Sequence, residues 1–309
     1  MSYEGKMLGQ LKMPARTEVE EALLIALFRH NGVIKEFGSD EEIVIEIADS
    51  FGLNQEQRAA YLETVYRKEN RVKKSLLWHR LLFRAADSLA KERMVSRPTQ
   101  TLSLTNNREW MLTEHGFDKA LRLSNIPVAK KDSLSTKSFE VQRIVKELNE
   151  TPRLANYNPF DRSKKTSKIT KETTLRKRGF RQAVIEAYNY KCAVCGMKIY
   201  APDTLSWEVE AAHIVPHRAM GKDDICNGMA LCRLHHWAFD IGWFTLLDSY
   251  KVEVSSQAGS LPADFGKIGE YKFLKSLSAH SSKIFLPSRN EIYPHHNSIS
   301  WHRQNIFHQ

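Results

Sequence analysis

Between Lys191 and Asp240 the chain concentrates residue types that bind metals and move protons. They are Cys192-Ala193-Val194-Cys195, Glu210-Ala211-Ala212-His213-Ile214-Val215-Pro216, Asn227 and Cys232-Arg233-Leu234-His235-His236-Trp237-Ala238-Phe239-Asp240. Two metal spacings are superimposed. The outer one, Cys192-x2-Cys195 with Cys232-x2-His235, is the paired-knuckle spacing of a tetrahedral structural zinc, because each short loop aims two soft ligands at one point. The inner one is His213, Asn227, His236 and Asp240. Residues four apart on a helix share a face, so His236 and Asp240 can hold one divalent cation beside a strand histidine, a set able to cleave a phosphodiester. By helical spacing alone either His235 or His236 completes the outer site; His235 is assigned to zinc because His236 then pairs with Asp240. An acid at the negative end of a helix is poorly placed unless it has a cation to bind.

The stretch from about Arg178 to Leu247 resembles an HNH nuclease, a ββα-metal fold, through Ala-Ala-His-Ile-x-Pro, Asn-Gly, Leu-Cys, His-His and Phe-Asp-x-Gly. The resemblance implies that His213 is a general base drawing a proton from water, a task suited to an imidazole that titrates near neutrality. It also implies that Asn227 orients the loop holding His213. The wider superfamily often carries Asp or His just before the general base, where this chain has Ala212. Water, substrate phosphate or Glu210 is left to complete the sphere of a catalytic Mg²⁺ or Mn²⁺, and magnesium keeps several waters readily.

These residues must be positioned by the rest of a 309-residue chain with 42% hydrophobic and 10% aromatic residues, enough for two modest globular domains. No run of eighteen apolar residues and no signal-like apolar stretch near Met1 occurs, so the expected compartment is cytoplasmic, with no membrane partner. All the cysteines lie in the nuclease-like stretch, where a reducing cytosol suits thiolate ligands; Cys226 is left over as a small hydrophobe.

A formal net charge of +10 points to a polyanionic partner, DNA. Its distribution is uneven. Residues 1–125 hold nineteen Lys/Arg against eighteen Asp/Glu, whereas residues 162–181 hold nine against one, Glu172. The excess, with Lys177, Arg178 and Arg181, can lie along a phosphate backbone or simply be a solvated run. Arg218 and Lys222, in the loop between His213 and Asn227, and Arg233 are further candidates for phosphate contact or solvated charge. One HNH site per chain implies either a homodimer or two sequential nicks for a double-strand break.

The expected organisation is a tail over 1–14, a first domain over 15–123, a basic linker over 124–175, the HNH domain over 176–255 and an extension over 256–309 that packs back on it. Within the first domain, Thr17-x-x-Glu20 is read as a capping box opening a helix that runs to Gly32. Further helices are expected over 54–70 and 73–94, the latter with Leu77, Leu81, Leu82, Ala85 and Leu89 on one face and Arg80 and Arg84 on the other. Thr101-Leu102-Ser103-Leu104 and Glu109-Trp110-Met111-Leu112 read as a hairpin around Asn106-Asn107, before a helix capped by Thr113. Leu112-Thr113-Glu114-His115-Gly116-Phe117 is similar to the Mrr-type N-terminal domain of restriction enzymes, which implies a winged helix-turn-helix. The expected fold class is therefore α+β: an N-terminal winged helix-turn-helix and a C-terminal ββα-metal (HNH) domain with structural zinc. The function so implied is a metal-dependent DNA endonuclease of restriction or defence type, against foreign DNA, modified DNA included. A zinc-stabilised DNA-binding regulator without catalysis, and a nuclease for RNA or branched DNA, are the alternatives.

Overall fold

The computed structural model describes residues 3–37, 41–66, 71–161, 171–202, 205–259 and 282–308, and the chain divides into two units, 1–142 and 143–309. Part of the basic run (162–170), the end of the helix expected over 54–70 and part of the C-terminal extension (260–281) lie outside the described residues.

In the first unit, α1 (Tyr3–Gln10) occupies the expected tail. Its Glu4, 7% exposed, takes hydrogen bonds from Arg80 at 3.0 Å and Arg84 at 2.7 Å. A buried carboxylate requires such cations. Helix α2 (Arg16–Arg29) starts earlier than its expected capping box: the Ala15 N–H donates to Glu18 at 2.7 Å, while Glu20 pairs with Arg16. Its Val19, Leu23, Leu24 and Leu27 are buried, and it packs on α5 (Leu77–Lys91) and α7 (Glu114–Leu123). All five apolar positions expected on one face of α5 are buried. The Thr113 hydroxyl caps α7 by accepting from the Gly116 N–H.

Between α2 and α5 come β1 (Val33–Lys35), α3 (Glu41–Ser50), the short α4 (Gln55–Ala59) and an antiparallel hairpin, β2 (Tyr61–Tyr66) with β3 (Arg71–Leu76). The helix expected over 54–70 is therefore wrong: it stops after one turn capped by Asn54, and the hairpin follows. The helix expected from residue 73 begins instead at Leu77. After α5 come β4 (Val95–Ser96), α6 (Pro98–Thr105) and β5 (Glu109–Leu112), and β1, β5 and β4 form one antiparallel sheet in that order.

The hairpin expected over 101–112 is also corrected. Its first arm is α6, opened by Pro98 in the first turn, where a missing N–H costs nothing, and closed by Asn106 at φ 61°. Thr101 is buried because its hydroxyl donates to the Glu109 carbonyl at 2.6 Å and receives the Glu109 N–H at 3.1 Å, which ties helix to strand. Residues expected in a linker are also folded. Lys131, 9% exposed, pairs with Glu114 and Asp118, and the Glu140 carboxylate receives the Glu114 N–H at 2.8 Å. The boundary between the units falls within α8 (Phe139–Glu150).

The second unit is built on α9 (Lys171–Ala187), the antiparallel pair β6 (Val209–His213) and β7 (Gly228–Cys232), and α10 (Arg233–Asp240). Helix α9 lies against both strands. Gly228, opposite His213, permits this, since a Cβ there would stand 2.4 Å from Val184 and 3.0 Å from Phe180. A second pair, β8 (Phe244–Leu246) with β9 (Val252–Val254), follows, and α11 (His296–Asn305) packs on β8. Among the described residues no helix is long and apolar enough to cross a membrane.

His302 of α11 stacks on Phe239 at 3.7 Å. Its Nε2–H donates to the Phe239 carbonyl and its Nδ1 accepts from the Thr245 hydroxyl, each at 3.0 Å. Burial pushes it down from 6.5 to about 4, outweighing the carbonyl, so it is neutral in the fold. As pH falls through 6.5 the unfolded chain takes up a proton that the folded one refuses until about 4. This histidine should therefore remove about 3 kcal/mol of stability across that window. Urea unfolding of wild type and His302→Gln at pH 7.5 and 4.5 checks this. Parallel losses in the two proteins would refute it.

Candidate active site

The loop before β6 carries Cys192 and Cys195, and Gly196 at φ 72° lets it double back, with its N–H bonded to the Cys192 carbonyl. The Ala193 N–H bonds to Ala230 of β7 at 2.8 Å, bringing this loop beside Cys232 at the strand's end. His235, in the first turn of α10, completes the group. Its Nδ1 lies 2.9 Å from Cys232 Sγ and 3.7 Å from Cys192 Sγ, and one ligand atom from each of the four residues falls within 4.8 Å of the others. His235, and not His236, thus faces the cysteines.

The electrostatics fit a cation. Hydrogen bonds from Cys195 and Cys232 hold the Cys192 thiol far below its ordinary value, while sharing with Cys192 and Cys195 forces Cys232 up. Burial lowers His235, but the bonds and charges of Cys192 and Cys195 outweigh it and push it up to about 9. Three soft sulfurs and one imbedded imidazole are a donor set suited to zinc. Cys226 stands apart, its thiol raised to about 12 by burial.

His236 sits on the next position of α10 and turns to β6. Its Nδ1 lies 3.0 Å from Glu210, and its Nε2 is 3.6 Å from Asp240 on the same helix face. Burial lowers His236, yet the Glu210 hydrogen bond and the charges of Asp240 and Glu210 leave it raised; the same bond holds Glu210 down. Asp240 is raised, first by desolvation, against the opposing charges of His236, Arg218 and His213. Glu210 and Asp240 therefore occupy opposite nitrogens of His236. An ion taking Nε2 with Asp240 would have Glu210 behind the ring, so the carboxylate considered for the coordination sphere stands where it can orient the ligand.

His213 ends β6, its ring stacked on Phe180 of α9 at 4.0 Å and 21°. Asn227, fully buried, clamps the following loop: its Oδ1 accepts from the Val215 N–H at 2.9 Å, and its Nδ2 donates to the carbonyls of Val215 and Lys222, both at 3.0 Å. Gly221 closes that loop, where a Cβ would lie 1.7 Å from the Val215 carbonyl oxygen. Two residues not singled out from the sequence also converge here. Asp223 Oδ1 lies 2.9 Å from His213 Nε2 and 3.0 Å from His217 Nε2. Their only sequence signal was proximity to the HIVPH segment; Asp223 sits ten residues on, in irregular backbone, with no period to reveal it.

The basic candidates separate. Arg80 and Arg84 pair with Glu4, the Arg84 side chain remaining 54% exposed, and Arg178 is buried. Lys177 is exposed and Arg181 half-buried on α9. Arg218 is exposed within electrostatic range of Asp240, Lys222 lies over the Tyr157 ring at 5.7 Å, and Arg233 reaches Glu210 at 3.3 Å.

Residues 192–247 match the HNH endonuclease family model. A solved structure titled as a modification dependent TagI restriction endonuclease is similar at 21% identity, covering 41% of this chain and 37% of that one, with a TM-score of 0.29. No curated protein matches the chain. The segment from Cys192 to Leu247, with its ββα core and Cys3His cluster, is an HNH endonuclease domain within a longer chain.

Proposed function

We propose that the chain is a metal-dependent DNA endonuclease of restriction type, in which the second unit cuts and the first positions the DNA. The observation that carries this is one ββα core that bears His213 at the end of its strand and the His236/Asp240 pair on its helix, with His213 within electrostatic range of Asp240, beside the Cys3His cluster. His213 takes a proton from water, and the hydroxide attacks phosphorus as the P–O3′ bond breaks. Asn227 keeps the loop beyond His213 in place through both ends of its amide. His236 Nε2 and Asp240 Oδ2, 3.6 Å apart, would together hold a divalent cation, Mg²⁺ or Mn²⁺. When bound, such an ion stabilises charge on the phosphate and the departing oxygen. Glu210 fixes the ring that offers Nε2. Ala212 is buried against the core and supplies no ligand, which would leave water or substrate phosphate to complete the sphere of such an ion. Zinc in the Cys3His cluster is structural, since four protein donors leave no open position.

The antiparallel order β1-β5-β4 with α2, α3 and α5 supports a winged helix-turn-helix for the first unit, with α6 inserted where a wing hairpin would run. The excess of basic residues approaching α9 supports a nucleic-acid partner, and a homodimer or two sequential nicks would then complete a double-strand break.

The test is cleavage of modified and unmodified plasmid, single-stranded DNA and RNA with Mg²⁺, Mn²⁺ or EDTA, by wild type and His236→Ala. Duplex DNA should be nicked or linearised only with metal, and His236→Ala should be slower by about 10²-fold or more. Cutting in EDTA, or no cutting of any substrate by a folded, zinc-loaded protein, would overturn the proposal. Preference for RNA would redirect the substrate class.

A further inference from the structure

We propose that Asp223 is the positioning residue of His213, forming with it a carboxylate–imidazole dyad that selects the tautomer and stabilises the imidazolium formed in the reaction. This rests on the assignment of His213 as the general base. The Asp223 side chain is 4% exposed, and its Oδ1 meets His213 Nε2 at 2.9 Å. A carboxylate so buried needs donors to offset its desolvation, and imidazole N–H groups serve.

With Nε2–H donating to Asp223, the lone pair of neutral His213 lies on Nδ1, the nitrogen to which water delivers its proton. The proton moves from water to Nδ1, Nε2–H stays in place, and the new positive charge lies against the carboxylate. The ring plane is set independently by the Phe180 stack. The loop that carries Asp223 is fixed at Val215 and Lys222 by Asn227, so the oxygen is held relative to β6. The neighbouring Asp224 accepts the Cys226 N–H. Among the described residues, His217 lies on the same carboxylate oxygen and Asp240 lies within electrostatic range of His213.

The experiment compares wild type, Asp223→Asn, His213→Ala and the double variant, all full length and checked for zinc content and melting temperature. Asp223→Asn should lower kcat by about 10²-fold or more with KM within about twofold. In the His213→Ala background it should cause no further loss, because the two residues act as one unit. Ring-¹⁵N NMR of the wild type, which needs no variant, should show His213 as the Nε2–H tautomer. Full activity of Asp223→Asn, multiplicative losses in the double variant or an Nδ1–H tautomer would overturn the dyad. So would loss of Mn²⁺ binding on Asp223→Asn, since His213, His217 and Asp223 lie close enough to hold an ion and the aspartate would then be a ligand. A wild type that cuts nothing, or His213→Ala that cuts normally, refutes the nuclease assignment instead, while the tautomer still reports on the dyad.

Discussion

Replacing Cys192 by serine is expected to abolish zinc retention and to lower the melting temperature of the second unit by on the order of 10 °C or more. The cluster ties together three pieces of backbone: the Cys192–Cys195 loop, the end of β7 and the first turn of α10. Apparent zinc affinities in small domains correspond to about 10–16 kcal/mol of folding free energy, so losing even part of that exceeds any single apolar contact here. Without the ion the cluster would keep a suppressed Cys192 beside a charged His235, an ion pair whose burial costs desolvation. Calorimetry and metal analysis of wild type, Cys192→Ser and Cys226→Ser decide it. Cys226→Ser should keep its zinc, because Cys226 is outside the cluster. A Cys192→Ser protein that lacks zinc yet melts like wild type would show that the ion is dispensable.

How much of this was legible in the sequence depends on whether local pattern or distant packing set each element. Cys192-x2-Cys195 with Cys232-x2-His235 is local chemistry at fixed spacing, and the four residues meet. The choice between His235 and His236 was not local: a helix places both near Cys232, and Glu210 on the neighbouring strand draws His236 the other way. Glu210 itself was weighed as a ligand because strand alternation says which face it takes but not which nitrogen it meets. Thr101-Leu102-Ser103-Leu104 alternates like a strand, yet Pro98 and Asn106 delimit a helix whose inward threonine bonds to Glu109. In so short a segment the end signals outweigh the period. Glu4 became part of the first unit's core through Arg80 and Arg84, seventy-six and eighty residues away, a partnership no local window contains. Asp223 was missed for the same reason: the Asn227 clamp and the Gly221 turn, not a periodic element, bring it to His213.

His213→Ala should reduce cleavage by about 10²–10⁴-fold, or roughly 3–5 kcal/mol in the barrier, while leaving the fold and the zinc in place. The fold should survive because the imidazole ends a strand whose pairing with β7 is made by backbone, and because the Asn227 clamp bonds to Val215 and Lys222, not to the ring. Its loss opens space beside Phe180 at a partly exposed position, which is cheaper than a sealed cavity. Among the described residues, His217, 4.3 Å from His213 between ring centres and bonded to the same Asp223 oxygen, is a neighbour that could act in its place. A residual rate that also falls in His213→Ala/His217→Ala would measure that substitution. Added imidazole should restore part of the His213→Ala activity, since the variant keeps Asp223 and a ring-sized gap. Supercoiled plasmid nicking under excess enzyme reads the chemical step directly. Wild-type rates in His213→Ala would move the proton transfer to another group, whereas loss without imidazole rescue, together with lost zinc or a lower melting temperature, would assign His213 a structural role.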